Sequence, residues 1–423
     1  MNWKTIAVKR QSVKDKLIVG IDIAKKLHVA KALLPSGEFM PALKFHNDLA
    51  GFTKLIDYIR RYQNQAHCDG VTCAFESTGH YGMCLIHWVQ GHGLTTVWVN
   101  PVHVKRTRDQ FDNSPAGSDS KSAMVIADLA SQGKFLTVVI PTGVYASLRE
   151  TVVMRDHLMA ERTAKLNQLQ AALDRLFPEF TDVFKDIKGR AALYLLEHYP
   201  SPQEILGKSA AELTQELRQN GCPRMSQKKI DLLQVKARET VGVKEAWVLI
   251  SAGLIDALAA VKNLNERIKV LEELLKNLVP QAEESEYLLS VRGIGVISTA
   301  VLLGETGGWR NYGHARAVLK LAGLNVYVVQ SGQYEGAHRI SKRGRGLLRK
   351  VLFLAALRLI RIEGEFKEFY TRLIGTGKVR KIKAVVAVAC RLVRVLYALV
   401  RDRRHYSDRW SGPSSVTAVA QGA

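Results

Sequence analysis

The chain has 423 residues, a length that predicts two or three domains instead of a single core. It carries 61 Lys and Arg against 39 Asp and Glu, a formal net charge of +22 that is spread over the whole sequence. Such a charge predicts a polyanionic partner. Nucleic acid is favoured over a membrane, because the longest apolar runs are far shorter than the roughly 18 residues that a transmembrane helix needs.

The N-terminal residues and the cysteines predict a reducing, cytoplasmic environment. The opening MNWKTIAVKRQSVKDK lacks the apolar stretch of a signal peptide. The five cysteines are odd in number and include no CxxC pair, which argues against both a disulfide framework and a zinc site.

Predicted strands and helices alternate over residues 1–140. KLIVGIDIA is an apolar, β-branched run, HVAKALL follows it closely, and PSGE before ALKFH has the composition of a hairpin turn. A helix capped by Asn47, the strand GVTCAFEST, a short helix and the strand LTTVWVNP come next. This is the element order of the ribonuclease H-like fold, so we predict an α/β domain with a mixed sheet.

The middle region, 141–286, is predicted to be all-helical. Two series of aliphatic residues recur at steps of three and four, at positions 166 to 176 and 264 to 278. They predict an a/d seam on each of two long helices, separated by a polar helical insert over 180–245. The two helices could pair with each other as an antiparallel hairpin or with a second subunit, and the sequence leaves both arrangements open.

Residues 287–405 form a third predicted domain, mostly helical, and 406–423 form a tail predicted to be disordered. YLLSVRGIGVISTAVLLGE predicts two helices joined by a GIG turn, a helix-hairpin-helix-like arrangement. Gly293 and Gly295 would let a phosphate approach the N-terminus of the second helix. A loop with Ser331 and a long basic helical stretch follow.

Three carboxylates are candidate metal ligands. Asp22 lies in the middle of an apolar predicted strand, where a divalent cation commonly compensates a charge; the alternative is an aspartate at a strand end or edge. Glu76 ends the fourth predicted strand beside a Gly-rich turn, unless it starts a helix. Asp119 alone is better explained as a helix N-cap. Taken together and in this order, the three predict a metal site for phosphoryl transfer.

Ser331 stands in QSGQ, ahead of a run of cations. Taken alone, it is better explained as a turn serine in a solvated basic loop. In the functional interpretation, the cations bind phosphates near Ser331, and glycines allow close approach of a nucleic-acid backbone. Ser341 is interpreted as the cap of the helix that follows, and His338 as a phosphate contact.

Seven motifs in one order carry a resemblance to a known family: GIDIAKKLHVA, FESTGHYG, NPVHVKR, DNSPAGSDSKSAMVIADL, SVRGIGVISTAVLLGE, LAGLNVYVVQSGQ and RISKRGRGLLRK. With them, the chain resembles the DEDD-type insertion-sequence transposases, the bridge-RNA-guided serine recombinases related to the pilin-gene invertases. The resemblance covers about 20–140 and 285–405. It implies a RuvC-like N-terminal domain with four acidic residues that bind Mg²⁺, a helical coiled-coil arm, and a C-terminal transposase domain with a nucleophilic serine.

Residue by residue, the resemblance implies that the catalytic positions are Asp22, Glu76, Asp119 and Ser331, of which the three carboxylates are metal ligands. The fourth carboxylate position of the family is Ser122 here. A spacing of three residues puts it on the same helix face as Asp119, and a hydroxyl is a poor substitute for a carboxylate on a hard cation. The metal site is therefore expected to be weakened or altered.

The resemblance also implies partners and cofactors. These are Mg²⁺, a structured guide (bridge) RNA, and target and donor DNA, with a homo-oligomer, dimer or tetramer, in the nucleoid-associated bacterial cytoplasm and no membrane. The residues predicted to bind nucleic acid are Lys105, Arg106, Arg292, Gly293, Gly295, Gly332, Arg339, Lys342, Arg343 and Arg345. Two alternatives stay open: a metal-only nuclease that cuts branched DNA by water attack, and an RNA- and DNA-binding remnant without activity.

Overall fold

The computed structural model describes residues 3–76, 79–110, 118–137, 139–327, 330–331, 334–336, 339–375, 377 and 379–407. The chain divides into two compact units, Met1–Val139 and Ile140–Ala423. Most of the predicted tail, from 408 onward, lies outside the described residues. The separation of the second unit into an arm and a C-terminal domain stays a prediction.

A six-stranded mixed sheet forms the centre of the first unit. Its strands are β1 (Leu17–Asp22), β2 (Leu27–Leu33), β3 (Leu43–His46), β4 (Val71–Glu76), β5 (Thr95–Val99) and β6 (Phe135–Thr137), in the order β3-β2-β1-β4-β5-β6. The first three strands form an antiparallel meander, β4 and β5 run parallel to β1, and β6 is antiparallel to β5. The first five strands have the order and directions of the ribonuclease H-like fold that the sequence predicted.

Helices cover this sheet: α1 (Trp3–Val13), α2 (Leu49–Ala66), α3 (Met83–Gly91), α4 (Pro101–Gln110) and α5 (Asp119–Ser131). The N-cap of α2 is Asp48, whose carboxylate accepts from the Gly51 N–H at 2.7 Å, so the predicted cap Asn47 was wrong by one position. Helix α5 packs closely on β1, because a Cβ at Gly20 would lie 2.1 Å from the carbonyl oxygen of Ala123. This close packing brings the start of α5 to the end of β1.

Two long helices, α6 (Gly143–Leu176) and the later α12 (Trp247–Leu278), pair within the second unit. Arg155 donates to Glu272 at 2.5 Å, Arg162 to Asn265 at 3.0 Å, and Lys165 lies 3.8 Å from Asp256. Because later residues of α6 meet earlier residues of α12, the pair is antiparallel. The helices therefore pair with each other in one chain, which resolves the choice that the sequence left open; a coiled-coil supercoil stays a prediction.

The polar insert folds as short helices between the two long ones: α7 (Phe180–Val183), α8 (Arg190–His198), α9 (Pro202–Leu206), α10 (Ala210–Gln219) and α11 (Gln227–Arg238). Their apolar core is shared with the last turns of α6 and the first turns of α12. Capping boxes start α9 at Ser201 and α10 at Ser209. The insert is thus a small helical subdomain at one end of the long pair.

The rest of the second unit is mostly helical, as predicted. Its elements are α13 (Ser285–Leu289), α14 (Val296–Thr306), α15 (Ala315–Leu321), β7 (Val326–Tyr327), β8 (Gln330–Ser331), β9 (Tyr334–Glu335), β10 (Arg339–Ile340), α16 (Gly346–Leu359), α17 (Glu365–Gly375) and α18 (Lys381–Asp402). Helices α14, α16 and α18 share one core with the fully buried Trp309. A turn with Gly293 at φ +87° joins α13 to α14; its helix-hairpin-helix-like character stays a prediction.

One segment, Trp247–Gln281, is long and apolar enough to cross a membrane when judged by length and composition alone, and it coincides with α12. Its buried residues include Leu254, Leu258, Val261 and Leu264, which recur at steps of three and four and face protein cores. This pattern is typical of a core helix, in which one face packs and the other meets solvent.

Candidate active site

Two of the predicted carboxylates lie side by side at the centre of the sheet. Strands β1 and β4 are parallel neighbours with Ile21 opposite Phe75, so the next residues, Asp22 and Glu76, sit together at the C-terminal edge. Asp22 is the last residue of β1 and not a mid-strand residue as predicted; its role as a metal ligand stays a prediction. Glu76 ends β4, and the next helix begins only at Met83, so Glu76 does not start a helix.

The third carboxylate reaches the same edge from α5. Ser118 is the N-cap of this helix, because its Oγ accepts from the Lys121 N–H at 3.2 Å. Asp119 is the first helical residue, so the N-cap interpretation of Asp119 was wrong by one position. Its side chain lines the same surface as Asp22 and Glu76.

An open cleft of about 530 Å³ brings these groups together. Ser122, Arg108 and Lys25 also line it. Within the described part of the chain, no three Asp, Glu, His or Cys side chains form a ready-made metal-binding cluster. The cleft therefore gathers the predicted ligands on one surface without closing them into a coordination shell.

The charges in this cleft are unbalanced. The pKa of Asp22 is raised from 3.8 to about 6, first by burial and then by the negative charges of Glu76 and Asp119. Burial also raises the pKa of Glu76. A cation in the cleft would relieve both the repulsion and the desolvation, and carboxylate oxygens are the ligands that Mg²⁺ prefers.

Arg108 lines the cleft and was missed by the sequence interpretation. Its positive charge lowers the pKa of both Asp22 and Glu76. Helix α4 buries Val104 against the domain core, and Arg108 follows one turn later on the same face. Lys105 and Arg106, which were predicted to bind nucleic acid, are exposed on this helix, away from the buried face. The buried position of Val104 was the sequence signal that could have identified Arg108 as the cation directed toward the cleft.

Ser122 lies one turn after Asp119 and is only 6% exposed. Its hydroxyl makes a hydrogen bond with Asp22 that lowers the pKa of that carboxyl. A fourth carboxylate at this position would face the other three. The serine instead supplies a neutral hydrogen-bonding group to Asp22.

The loop with Ser331 belongs to the second unit. Ser331 lies in β8 and pairs with Tyr334 of β9; Gly332 and His338 lie outside the described residues. Arg339, Lys342 and Arg343 are exposed, as a role in phosphate binding requires. In the α13–α14 turn, Arg292 and Gly295 are exposed as well, and a Cβ at Gly295 would point into open space.

Two residues of the basic motif have roles within the protein that the sequence did not predict. Arg345 is half-buried at the N-cap of α16, and its guanidinium donates to the main-chain carbonyl of Glu305 near the end of α14. A cation suits a helix C-terminus, so Arg345 has a contact within the fold, and its role in nucleic-acid binding stays a prediction. Ser341 donates to Asn325 Oδ1 at 2.6 Å and does not cap α16, which corrects the predicted cap.

Comparison with known proteins assigns the family. A DEDD transposase model of the IS110 type matches residues 19–178, and the model "Transposase IS116/IS110/IS902 family" matches residues 285–371. The chain is similar to the uncharacterized 44.8 kDa protein of insertion element IS116 from Streptomyces clavuligerus, with 25% identity over 93% of this chain and 96% of that one. It is also similar to the transposase of IS1111A from Coxiella burnetii, with 23% identity over 94% and 93% of the two chains.

Among solved structures, Thermus thermophilus RuvC is similar to 29% of this chain and 99% of its own, with 11% identity and a TM-score of 0.23; a score this low has no bearing on function. The serine recombinases are a different family from those that match, so the relationship to them is not shown. The two matched models and the near full-length relatives show that the chain belongs to the IS110/IS116 family of DEDD transposases.

Proposed function

We propose that this transposase cuts and rejoins DNA with Mg²⁺ held by Asp22, Glu76 and Asp119 and with Ser331 as the nucleophile. The observation that carries the proposal is the convergence of the three carboxylates on one open cleft. Two come from the ends of adjacent central strands and one from the first turn of α5. Binding sites of α/β folds form at such carboxyl ends of parallel strands.

The donor chemistry of the cleft fits a hard divalent cation. The pKa of Asp22 is raised first by burial and then by the charges of Glu76 and Asp119, which Arg108 offsets only in part. When bound, Mg²⁺ would supply charge neutralisation at the scissile phosphate. The residues of the chain have separate tasks. Asp22, Glu76 and Asp119 hold the ion, the Ser122 hydroxyl orients the Asp22 carboxylate, and Arg108 provides a fixed positive charge that a phosphate oxygen can contact.

In the proposed strand-transfer step, the Oγ of Ser331 attacks the phosphorus of one phosphodiester. A bond forms between Oγ and phosphorus, the bond from phosphorus to the 3′ oxygen breaks, and the leaving 3′ oxygen takes up the proton that Ser331 loses. The resulting phosphoserine ester conserves the bond energy, so a 3′ hydroxyl can reverse the step without ATP. Arg339, Lys342 and Arg343, exposed after the loop, would bind the flanking phosphates.

Partners follow from charge and from the family resemblance. The net charge of +22 supports a nucleic-acid partner. We further propose that a structured guide RNA pairs with target and donor DNA, and that a homo-oligomer completes the catalytic site from two subunits; both are carried over from the resemblance alone.

A search for a covalent protein–DNA adduct tests the proposal. Protein co-expressed with the RNA that flanks its own element would be incubated with donor and target DNA, with Mg²⁺ or EDTA, and resolved on a denaturing gel. An adduct is expected in wild type with Mg²⁺ and not in Ser331→Ala. Ser341→Ala is the matched control, because it removes a neighbouring hydroxyl that bonds Asn325, and it should retain the adduct.

Two alternatives have their own observations. The carboxylate cleft lies entirely within the first unit, which favours a metal-only nuclease that cuts branched DNA by water attack; cleavage without an adduct, unchanged in Ser331→Ala, would establish it. Ser122 at the fourth carboxylate position favours a remnant that binds RNA and DNA without activity. In that case wild type is inactive, and Ser122→Asp restores cleavage.

A further inference from the structure

A second cleft, of about 450 Å³, lies in the helical insert and takes no part in the site described above. It forms where the loop between α7 and α8 meets the start of α11. Its lining includes three cations, Lys185, Arg190 and Lys229, against one carboxylate, Asp186. The lining therefore carries a net positive charge.

The positive charges around this cleft have no ion-pair partners among the described residues. Exposed cations occur at six positions in the two segments that form it: Lys185, Lys188, Arg190, Arg224, Lys228 and Lys229. None of the six is in an ion pair with a described residue. Other lysines of the same subdomain and the adjoining helix are paired, as Lys236 is with Asp182 and Lys262 with Glu197. Unpaired charge is therefore concentrated at the cleft, where like charges repel until an anion binds.

Local contacts fix the walls of this cleft before any ligand binds. Arg190 Nη1 donates to the Gly221 carbonyl at 3.0 Å. Arg218 donates from Nε and Nη2 to the Met225 carbonyl at 3.1 and 3.0 Å. Lys229 Nζ lies 4.3 Å from the centroid of the buried Phe184 ring, a cation–π contact that holds the ammonium group over the cleft. Preorganised cations lose less entropy when they bind a phosphate.

We infer that this cleft binds the sugar–phosphate backbone of duplex DNA, which makes the insert a second DNA contact of the transposase. The inference rests on the proposed function for its nucleic-acid partner. Duplex DNA is favoured because the family acts on DNA. The lining cations Lys185, Arg190 and Lys229 can bind phosphates of any sequence, so we expect this backbone contact to be independent of sequence.

The test compares two triple variants of the full-length chain. The cleft variant carries Lys185→Gln, Lys188→Gln and Lys229→Gln. The matched control carries Lys208→Gln, Lys262→Gln and Lys276→Gln, which removes the same charge from lysines that are paired with glutamates. Binding of a labelled 30-base-pair DNA, its scrambled sequence and a single-stranded RNA would be measured by fluorescence anisotropy between 50 and 300 mM salt. Circular dichroism melting would verify that both variants fold.

Each lost phosphate contact lowers the salt dependence of log K by about 0.9. We expect the slope for both DNA sequences to fall by about 2–3 in the cleft variant, with roughly 10- to 100-fold weaker binding near 150 mM salt, and to stay unchanged in the control. Equal slopes in the two variants would overturn the inference. A change for RNA alone would overturn the assignment to DNA.

The same experiment separates this inference from the proposed function. If wild type binds DNA and the cleft variant binds it with an unchanged slope, only the cleft inference fails. If wild type binds neither DNA nor RNA, the nucleic-acid partner of the proposed function fails with it.

Discussion

Replacing Asp22 by Asn should stabilise the metal-free protein at neutral pH, although it removes a proposed metal ligand. The pKa of Asp22 rises from 3.8 to about 6 because burial, Glu76 and Asp119 disfavour its charged form. The difference corresponds to about 3 kcal/mol. Asp22 is only partly buried in an open cleft, so solvent screening reduces the expected effect to about 1–2 kcal/mol.

The sign of the pH dependence follows from linkage. Well below pH 3.8 the carboxyl is protonated in both the folded and the unfolded state, so it has no effect on the free energy of unfolding. Between about pH 4 and pH 6 the unfolded state loses its proton first, so the free energy of unfolding of wild type falls as the pH rises. Asn is neutral at every pH. The gain in free energy of unfolding of Asp22→Asn over wild type should therefore be absent near pH 3.5 and complete at pH 7.5.

Mg²⁺ should reverse the order of stability, so that wild type becomes more stable than Asp22→Asn. An ion bound to the ionised carboxylates stabilises wild type by about 1.4 kcal/mol when its concentration is ten times the dissociation constant. Asp22→Asn should gain much less. Differential scanning calorimetry of the full chain at pH 7.5, with EDTA and with Mg²⁺, measures both effects as shifts of a few degrees in Tm.

Asp57→Asn on the exposed side of α2 is the matched control, because it removes one carboxylate of the first unit that does not line the cleft. This control should show neither a higher Tm than wild type in EDTA nor a smaller rise of Tm with Mg²⁺. A lower Tm of Asp22→Asn in EDTA at pH 7.5 would refute the charge-repulsion argument. An equal Mg²⁺ response in Asp22→Asn and wild type would place the ion elsewhere.

Three further changes test other parts of the structure. Arg108→Gln should raise the pKa values of the cleft carboxylates further, so the acid limb of the cleavage pH profile should move to higher pH while CD spectra stay unchanged; an unmoved limb argues against a role for this charge. Ser122→Asp should lower Tm in EDTA, because a fourth carboxylate joins the cleft. It should also lower the Mg²⁺ concentration at which half of the stabilisation by Mg²⁺ is reached. A higher Tm in EDTA together with a higher Mg²⁺ midpoint would contradict the proposed site. Gly20→Ala should cost about 1–3 kcal/mol of unfolding free energy in a denaturant titration, since its Cβ would meet the Ala123 carbonyl at 2.1 Å; a neutral effect would show that α5 does not pack so closely on β1.

The first five strands of the sheet were predictable from sequence because they are separate apolar or β-branched runs with turn residues between them, whereas the three-residue β6 was not predicted. The end of β1 was not predictable, because Ile23 and Ala24 continue the apolar run after Asp22. The structure shows why the strand stops there. The Ala24 N–H donates to Nδ1 of the buried His28 at 3.2 Å instead of to a neighbouring strand, so the chain turns directly after Asp22.

The direction in which individual cationic side chains point was also not predictable from the sequence. Helix α4 carries Lys105, Arg106 and Arg108 within one turn, and only the helix phase set by Val104 decides which one faces the core. In the basic motif, Lys342 at φ +53° and Gly344 at φ +154° reverse the chain before α16 begins at Gly346. Long-range packing determines such turns, and local composition does not reveal them.

The two clefts carry opposite net charges, and the ligand proposed for each would neutralise its charge. The carboxylate cleft concentrates negative charge that a divalent cation would neutralise, and a metal-bound phosphodiester would contribute the remaining oxygen ligands. The cleft in the insert concentrates unpaired lysines that a phosphate backbone would neutralise. If the proposed ligands bind, DNA and Mg²⁺ should stabilise the units that hold them, because they relieve the repulsion within each cleft. In the proposed function, the free energy of DNA binding elsewhere on the chain would offset a weaker affinity for the metal ion at a site with Ser122 in the fourth carboxylate position.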